Sequence, residues 1–183
     1  VGFLLSLYLQ NIAGFAPDRA GLMLIVTAAC MAVVTPFAGR LSDKYPARWL
    51  ASLGLTLNAI GLMLLARLDG SQSISYVISA QIFIGIGFGF FSAPNSNRIM
   101  SSVPSQYVGQ ASASIPTMRG VGNLASMSIV TAVFAAYFGS SVITGENSDA
   151  LMDAISLSFS ITSIIAVLGA VASLAKGRVA KGY

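Results

Sequence analysis

The side chains of this chain best equipped for chemistry are hydrogen-bonding groups set singly inside long uncharged stretches. Gln81, Gly85, Phe88, Ser92 and Asn95 recur at spacings of three and four, which places them within a narrow arc of one helix. Small residues, an aromatic ring and three hydrogen-bonding groups on one face suit the wall of a wet cavity that accepts an amphipathic molecule. The same residue types also serve close helix packing, so Gln81 and Asn95 stand equally as ligand contacts or as helix glue.

A second polar stretch opens at Gly109. One helical face carries Ser112, Arg119, Asn123 and Ser126, and another carries Gln110, Ser114 and Thr117. Polar groups on both faces keep this half away from lipid tails. An ionisable group at membrane depth marks a functional candidate, and Arg119 is the one here. Its alternative role is to snorkel to the inner interface and bond backbone carbonyls. Tyr8, Gln10 and Asn11 lie near the end of the first apolar tract, where an interfacial aromatic belt accounts for the tyrosine and a cavity rim suits the two amides. Gly54, Asn58 and Gly61 share a face at spacings of four and three and predict close packing, with Asn58 bonding across to a neighbour. Gly85 and Gly89, four apart, predict the same, as do Gly120 and Gly122. The Gly85-Gly87-Gly89 run is no nucleotide loop, because no strand precedes it and no lysine follows. Ser156, Ser160 and Ser163 also share a face and suit helix glue.

The elements that hold these residues follow from composition. The chain has 183 residues, 55% hydrophobic and 9% charged, against roughly 25% charged in a soluble domain. Uncharged tracts run over 1–17, 20–39, 49–66, 70–97, 120–145 and 154–175. Most reach the ~20 residues that cross a hydrocarbon core, and segments of that length in lipid must be helices. The expected fold is an all-α membrane bundle of six transmembrane helices forming one unit over 1–183. The chain starts with Val and is apolar from its first residue without a basic leader, which predicts a fragment of a longer protein whose first helix is truncated.

Orientation follows from the basic residues. Arg40, Lys44, Arg48, Arg98, Lys176, Arg178 and Lys181 fall on one side, and Arg19 and Arg67 on the other. Seven against two puts the first side, and the carboxyl terminus, in the cytoplasm. Basic residues placed singly at tract ends explain the net charge of +4 without nucleic acid. One cysteine, Cys30, and no histidine exclude an internal disulfide framework and a Cys/His metal cluster. No tract or loop assembles a nucleophile with a base or a pair of carboxylates, so the pattern is not that of an enzyme.

Gly39-Arg40-Leu41-Ser42-Asp43-Lys44-Tyr45-Pro46-Ala47-Arg48 is a short charged stretch clamped between two apolar tracts. It resembles the G-x-L-[SA]-D-[KR]-x-G-x-[KR] loop motif of the major facilitator superfamily, with Pro46 where the motif has Gly. The whole chain resembles the carboxyl half of such a transporter. Leu7-Tyr8-Leu9-Gln10 with Gly14-Phe15-Ala16-Pro17, and Val103-Pro104 with Gly109-Gln110 and Arg119-Gly120-Val121-Gly122, are similar to the fourteen-helix drug:proton antiporters. The resemblance implies two six-helix halves that rock about a substrate near the midplane. It implies a cytoplasmic gate made from Gly39, Arg40, Leu41, Asp43, Lys44 and Arg48, with Asp43 facing a helix of the amino-terminal half. It also implies a proton gradient as energy source, no cofactor, and amphipathic substrates as partners alongside the bilayer. No acid lies deep in any tract, in keeping with coupling carboxylates that reside in the other half. Proton-coupled drug efflux at the cell membrane is the expectation. A facilitator for a specific metabolite, or a transporter-like sensor that moves nothing, are the alternatives.

Overall fold

The computed structural model describes residues 1–70, 72–139 and 148–174. Helix α1 (Gly2–Leu7) continues as a π-helical turn over Tyr8–Ile12. After it come α2 (Pro17–Ser42), α3 (Ala47–Ala66), α4 (Ile74–Ser101), α5 (Val108–Phe138, entered through a 3₁₀ turn at Ser105–Tyr107) and α6 (Ser148–Leu174). No strand occurs among the described residues. Helices α2 to α6 are long and apolar enough to cross a membrane, while α1 and its π turn have only six and five residues. The expected six spans are thus five full ones and a short first element. The expected cytoplasmic basics Lys176, Arg178 and Lys181, and most of the acidic loop after Gly139, including Glu146, lie outside the described residues.

Local signals explain the helix boundaries. Pro17 fills the first helical position of α2, where its missing N–H is not needed, and Asp18 complements the positive helix start. Gly14 and Gly70 take φ of 70° and 78°, left-handed conformations that turn the chain before α2 and after α3. Pro94 lies buried inside α4, which runs on through it to Ser101. The proline removes one backbone donor, and the turns on either side keep the rest of the ladder. The stretch Gly39 to Arg48, expected as a loop, is largely helical. Gly39 to Ser42 form the last turn of α2, Asp43 to Pro46 make the reversal, and Ala47 already belongs to α3. The N–H groups of Lys44 and Tyr45 both donate to Leu41 O, at 3.1 and 3.0 Å. Pro46, at φ −56°, is the N-cap of α3, where the angle its ring imposes is the one required.

Helix α4 is the centre of the bundle, with broad interfaces to α2 and α3, and α3 packs equally broadly on α6. In lipid no hydrophobic force drives apolar helices together, so close van der Waals packing must do it. The glycines permit that approach on two sides of α4. A Cβ added at Gly87 would lie 2.6 Å from both Asn58 N and Gly54 O on α3, and one at Gly54 would lie 2.5 Å from Gly87 O. One at Gly85 would meet Thr27 O of α2 at 2.6 Å, and one at Gly89 the side chain of Val34 at 3.0 Å. Gly61 faces Ala80 and Ile84 in the same manner. Below this seam Leu5, Tyr8, Leu9, Leu62, Leu65, Val77, Leu151, Ile155 and Phe159 form the buried core.

Hydroxyl groups join α3 to α6. Ser52 Oγ donates to Ala170 O at 3.2 Å, Ser163 Oγ to Ala59 O at 3.1 Å, and Ser156 Oγ to Ala66 O. The expected role of Ser156 and Ser163 as helix glue matches these bonds. Interhelical bonds of this kind average about 0.6 kcal/mol. Ser163→Ala in the complete protein should therefore lower its detergent melting temperature by only a degree or two, measured by dye-based thermal unfolding.

Helix α5 departs from this pattern. Its contacts with α4 and α6 are narrow, and Met118, Val121, Leu124 and Met127 are exposed along it. A Cβ at Gly120 or Gly122 would meet nothing within 4 Å. The packing expected of these two glycines therefore does not occur among the described residues, because no described helix approaches that face. Helix α2 likewise exposes Leu22, Ile25, Val33 and Phe37.

Candidate functional site

The separation of α5 from α4 leaves hollows between them, and the polar residues of the apolar tracts gather there. The larger, about 370 Å³, is bounded by α1 to α6 and includes Thr27 and Met31 (α2), Asn58 and Leu62 (α3), and Ile84 and Phe88 (α4). Asn123, Ser126 and Val130 close it from α5, and Phe159 and Thr162 from α6. Apolar surface broken by a few amides and hydroxyls at this volume is typical of a small-molecule site. Asn123 and Ser126 make no hydrogen bond among the described residues. Asn58 Nδ2 reaches Ile84 O only at 3.5 Å, a weak contact that leaves the amide available.

A smaller hollow of about 230 Å³ lies on the same α4–α5 seam, lined by Phe91, Asn95, Ile99, Ser114, Ile115, Met118 and Arg119. Arg119 bridges the seam: its Nη2 donates to Ser92 Oγ at 2.6 Å and its guanidinium carbon stands 5.9 Å from the centroid of the Phe88 ring. Among the described residues the side chain bonds this hydroxyl and no backbone carbonyl. It lies across α4, held by a hydroxyl and an aromatic face. Arg119 is the twelfth residue of α5, roughly 16 Å along the helix from its start at 1.5 Å per residue.

The sequence candidates separate into three groups. Phe88, Asn123, Ser92, Asn95, Ser114 and Arg119 converge on the α4–α5 seam. Thr117 is exposed on α5 and returns its hydroxyl to Ala113 O. Gln10 and Asn11 are exposed but bond within their own helix, to Ser6 Oγ at 2.7 Å and Leu7 O at 3.1 Å. Tyr8 and Gln81, at 1% and 0% exposure, sit in the core rather than on a cavity surface. The π turn adds a residue to one helical turn and so turns Gln10 and Asn11 away from the side that buries Tyr8. Gln81 reaches the larger hollow indirectly, since its Oε1 accepts from Thr27 Oγ1 at 3.1 Å, while its buried Nε2 has no partner.

Sequence reasoning overlooked Thr27 and Thr162 and placed Asn58 at a packing contact. A lone threonine in an apolar helix is a weak signal, because its hydroxyl can bond the preceding turn, as Thr162 does to Ser158 O at 2.7 Å. Asn58 does both jobs: its backbone meets Gly87 while its side chain borders the hollow.

At the end of the bundle holding the α2–α3 reversal, Ser42, Asp43, Pro46 and Arg48 face Asn97 and Arg98 of α4 across an opening of about 880 Å³. Asn97 Nδ2 donates to Ser42 Oγ at 3.2 Å. Arg40, Asp43 and Lys44 are exposed, Gly39 and Leu41 half-buried. Asp43 makes no ion pair among the described residues. Arg48 stands 5.8 Å from the centroid of its neighbour Trp49. Arg48 and Arg98 therefore share one end of the bundle, as the charge count requires, and Arg19 and Arg67 mark the other ends of α2 and α3.

The sequence matches the family model described as Major Facilitator Superfamily over residues 1–181. It is 31% identical over 142 residues to the riboflavin transporter RibZ of Clostridioides difficile, covering 78% of this chain and 30% of that protein. It is 27% identical over 135 residues to the multidrug resistance protein Stp of Mycobacterium tuberculosis, covering 74% and 25%. To the lincomycin resistance protein LmrB of Listeria innocua it is 27% identical over 133 residues, covering 73% and 28%. The chain thus spans less than a third of the length of these curated relatives. With its multi-pass helical bundle and family match, the chain belongs to the Major Facilitator Superfamily, whose members are transporters and not enzymes.

Proposed function

We infer that this chain is the carboxyl-terminal half-domain of a proton-coupled exporter of amphipathic compounds in the cell membrane. The carrying observation is the 370 Å³ hollow, whose aromatic and aliphatic surface is interrupted by Asn58, Asn123, Thr27 and Ser126. Such a lining removes the apolar body of a ligand from lipid and gives its polar atoms a few partners. Relatives named for multidrug and lincomycin resistance support export. The amino-terminal half packs on the exposed apolar strips of α2 and α5, completes the hollow and carries the coupling carboxylates. Its helix end receives Asp43, with Gly39, Arg40, Leu41, Lys44 and Arg48 forming the gate at the cytoplasmic end. The carboxyl terminus is cytoplasmic.

The complete protein, expressed in cells stripped of their own efflux pumps, is expected to lower accumulation of an amphipathic dye from a broad panel several-fold, and collapse of the proton gradient to abolish the difference. Unchanged accumulation across a broad dye panel would sink drug export. A second function, transport of one heterocyclic metabolite, is supported by the riboflavin transporter among the relatives. It predicts flux of riboflavin, with no dye moved, in proteoliposomes.

A further inference from the structure

Resting on that export function, we propose that Arg119 is the anchor for an anionic group of the substrate, so that the site selects acidic aromatic compounds over cationic ones.

Four observations carry this. Among the residues lining the two hollows on the α4–α5 seam, Arg119 is the one charged side chain, and no Asp or Glu lines either. Of the described acids, Asp18, Asp43, Asp69 and Asp149 stand at helix ends or in first turns, and Asp153 in the second turn of α6. The guanidinium gives the seam its positive charge.

The second observation is donor supply. Guanidinium has five N–H donors, and Arg119 uses one, on Ser92. Phe88 contributes only a ring face, which holds the plane in place without accepting a hydrogen bond in it. The remaining fork matches a carboxylate in bidentate geometry. Third, Asn123 stands one turn further along the same face of α5 and borders the larger hollow, with Ser126 beyond it. Both lack partners among the described residues and suit carbonyl or hydroxyl groups of the ligand body. Fourth, the rest of that hollow is Leu62, Ile84, Phe88, Val130 and Phe159, a bed for a flat apolar ring system. An aromatic body in the larger hollow, carbonyls along α5 and a carboxylate at Arg119 would lie in one line.

Rhodamine 123 and fluorescein share a xanthene skeleton and carry opposite charge at neutral pH, so they isolate the charge preference. With the complete transporter in everted membrane vesicles, energised uptake of fluorescein is expected to fall at least tenfold in Arg119→Gln and less in Arg119→Lys, which keeps the charge but loses the fork. Rhodamine 123 uptake should stay level or rise in Arg119→Gln. Anisotropy titration of fluorescein on purified protein in nanodiscs should show at least tenfold weaker binding for Arg119→Gln. Equal loss of both probes in both variants would make Arg119 a structural residue and overturn the proposal. Transport of rhodamine 123 but not fluorescein by the unaltered protein would overturn it while leaving drug export intact. Charge-selective, Arg119-dependent binding of fluorescein without uptake of either probe would uphold the anchor and overturn export.

Discussion

Gly87→Leu is expected to be the most damaging single substitution in this chain. A Cβ at position 87 lies 2.6 Å from backbone atoms of both Gly54 and Asn58, and backbone cannot step aside as a side-chain tip can. The helices would have to separate, and with them the contact of α3 on α4 that centres the bundle. Overpacking a tight core costs roughly 1–3 kcal/mol, and a backbone clash belongs at the upper end. In a marginally stable protein that is a large fraction of the total. Size-exclusion profiles of the complete protein in mild detergent should show most of Gly87→Leu aggregated. Gly120→Leu, where a Cβ meets none of the described residues, should retain a monodisperse peak if the amino-terminal half leaves room there, and should lose transport but not solubility if it does not. A normal profile for Gly87→Leu would contradict the packing described.

Ser126→Trp is expected to abolish transport while sparing the fold. Ser126 is exposed on α5 and borders the 370 Å³ hollow, so an indole there occupies ligand space without displacing a core side chain. Transport of any substrate that fits the hollow should fall at least tenfold, with the detergent melting temperature within about two degrees of the unaltered protein. Ile164→Trp, at a position 60% exposed on α6, serves as the matched control and should leave transport unchanged. Dye efflux and thermal unfolding on the same preparations decide the matter. Full transport in Ser126→Trp would remove the hollow from the substrate path.

The helices were legible because lipid leaves the backbone no choice: an uncharged tract of the right length must be helical, whatever its neighbours. The glycine stripes were legible for a similar reason. Gly85 and Gly89 at spacing four, and Gly54 and Gly61 at seven, must lie on one face, and close approach is what such a face permits. Which neighbour each stripe meets was not legible. Gly87, two residues from either member of the α4 pair, turns toward α3 while they turn toward α2. The site was legible in part. Phe88, Ser92 and Arg119 were marked by type and spacing, but their junction depends on how α5 leans on α4, which no local pattern encodes. Thr27 carries the same chemistry without a stripe to advertise it, and Asn58 stands in a glycine stripe that advertises packing instead. Tyr8 and Asn11, three residues apart, share a face in an α-helical count, and the π turn that holds them breaks that count.

The loose attachment of α5 also bears on how the protein is made. During insertion each helix must pass from the translocation channel into lipid, and an arginine in a span resists that step, by as much as roughly 2.5–3.5 kcal/mol at the helix centre. Asn123, Gln110 and the hydroxyls of the same helix add to the resistance. Ser92 and Phe88 are synthesised earlier, on α4, and offer Arg119 a hydroxyl and a ring face in place of lipid. The partition of α5 into the bilayer is therefore coupled to the prior placement of α4.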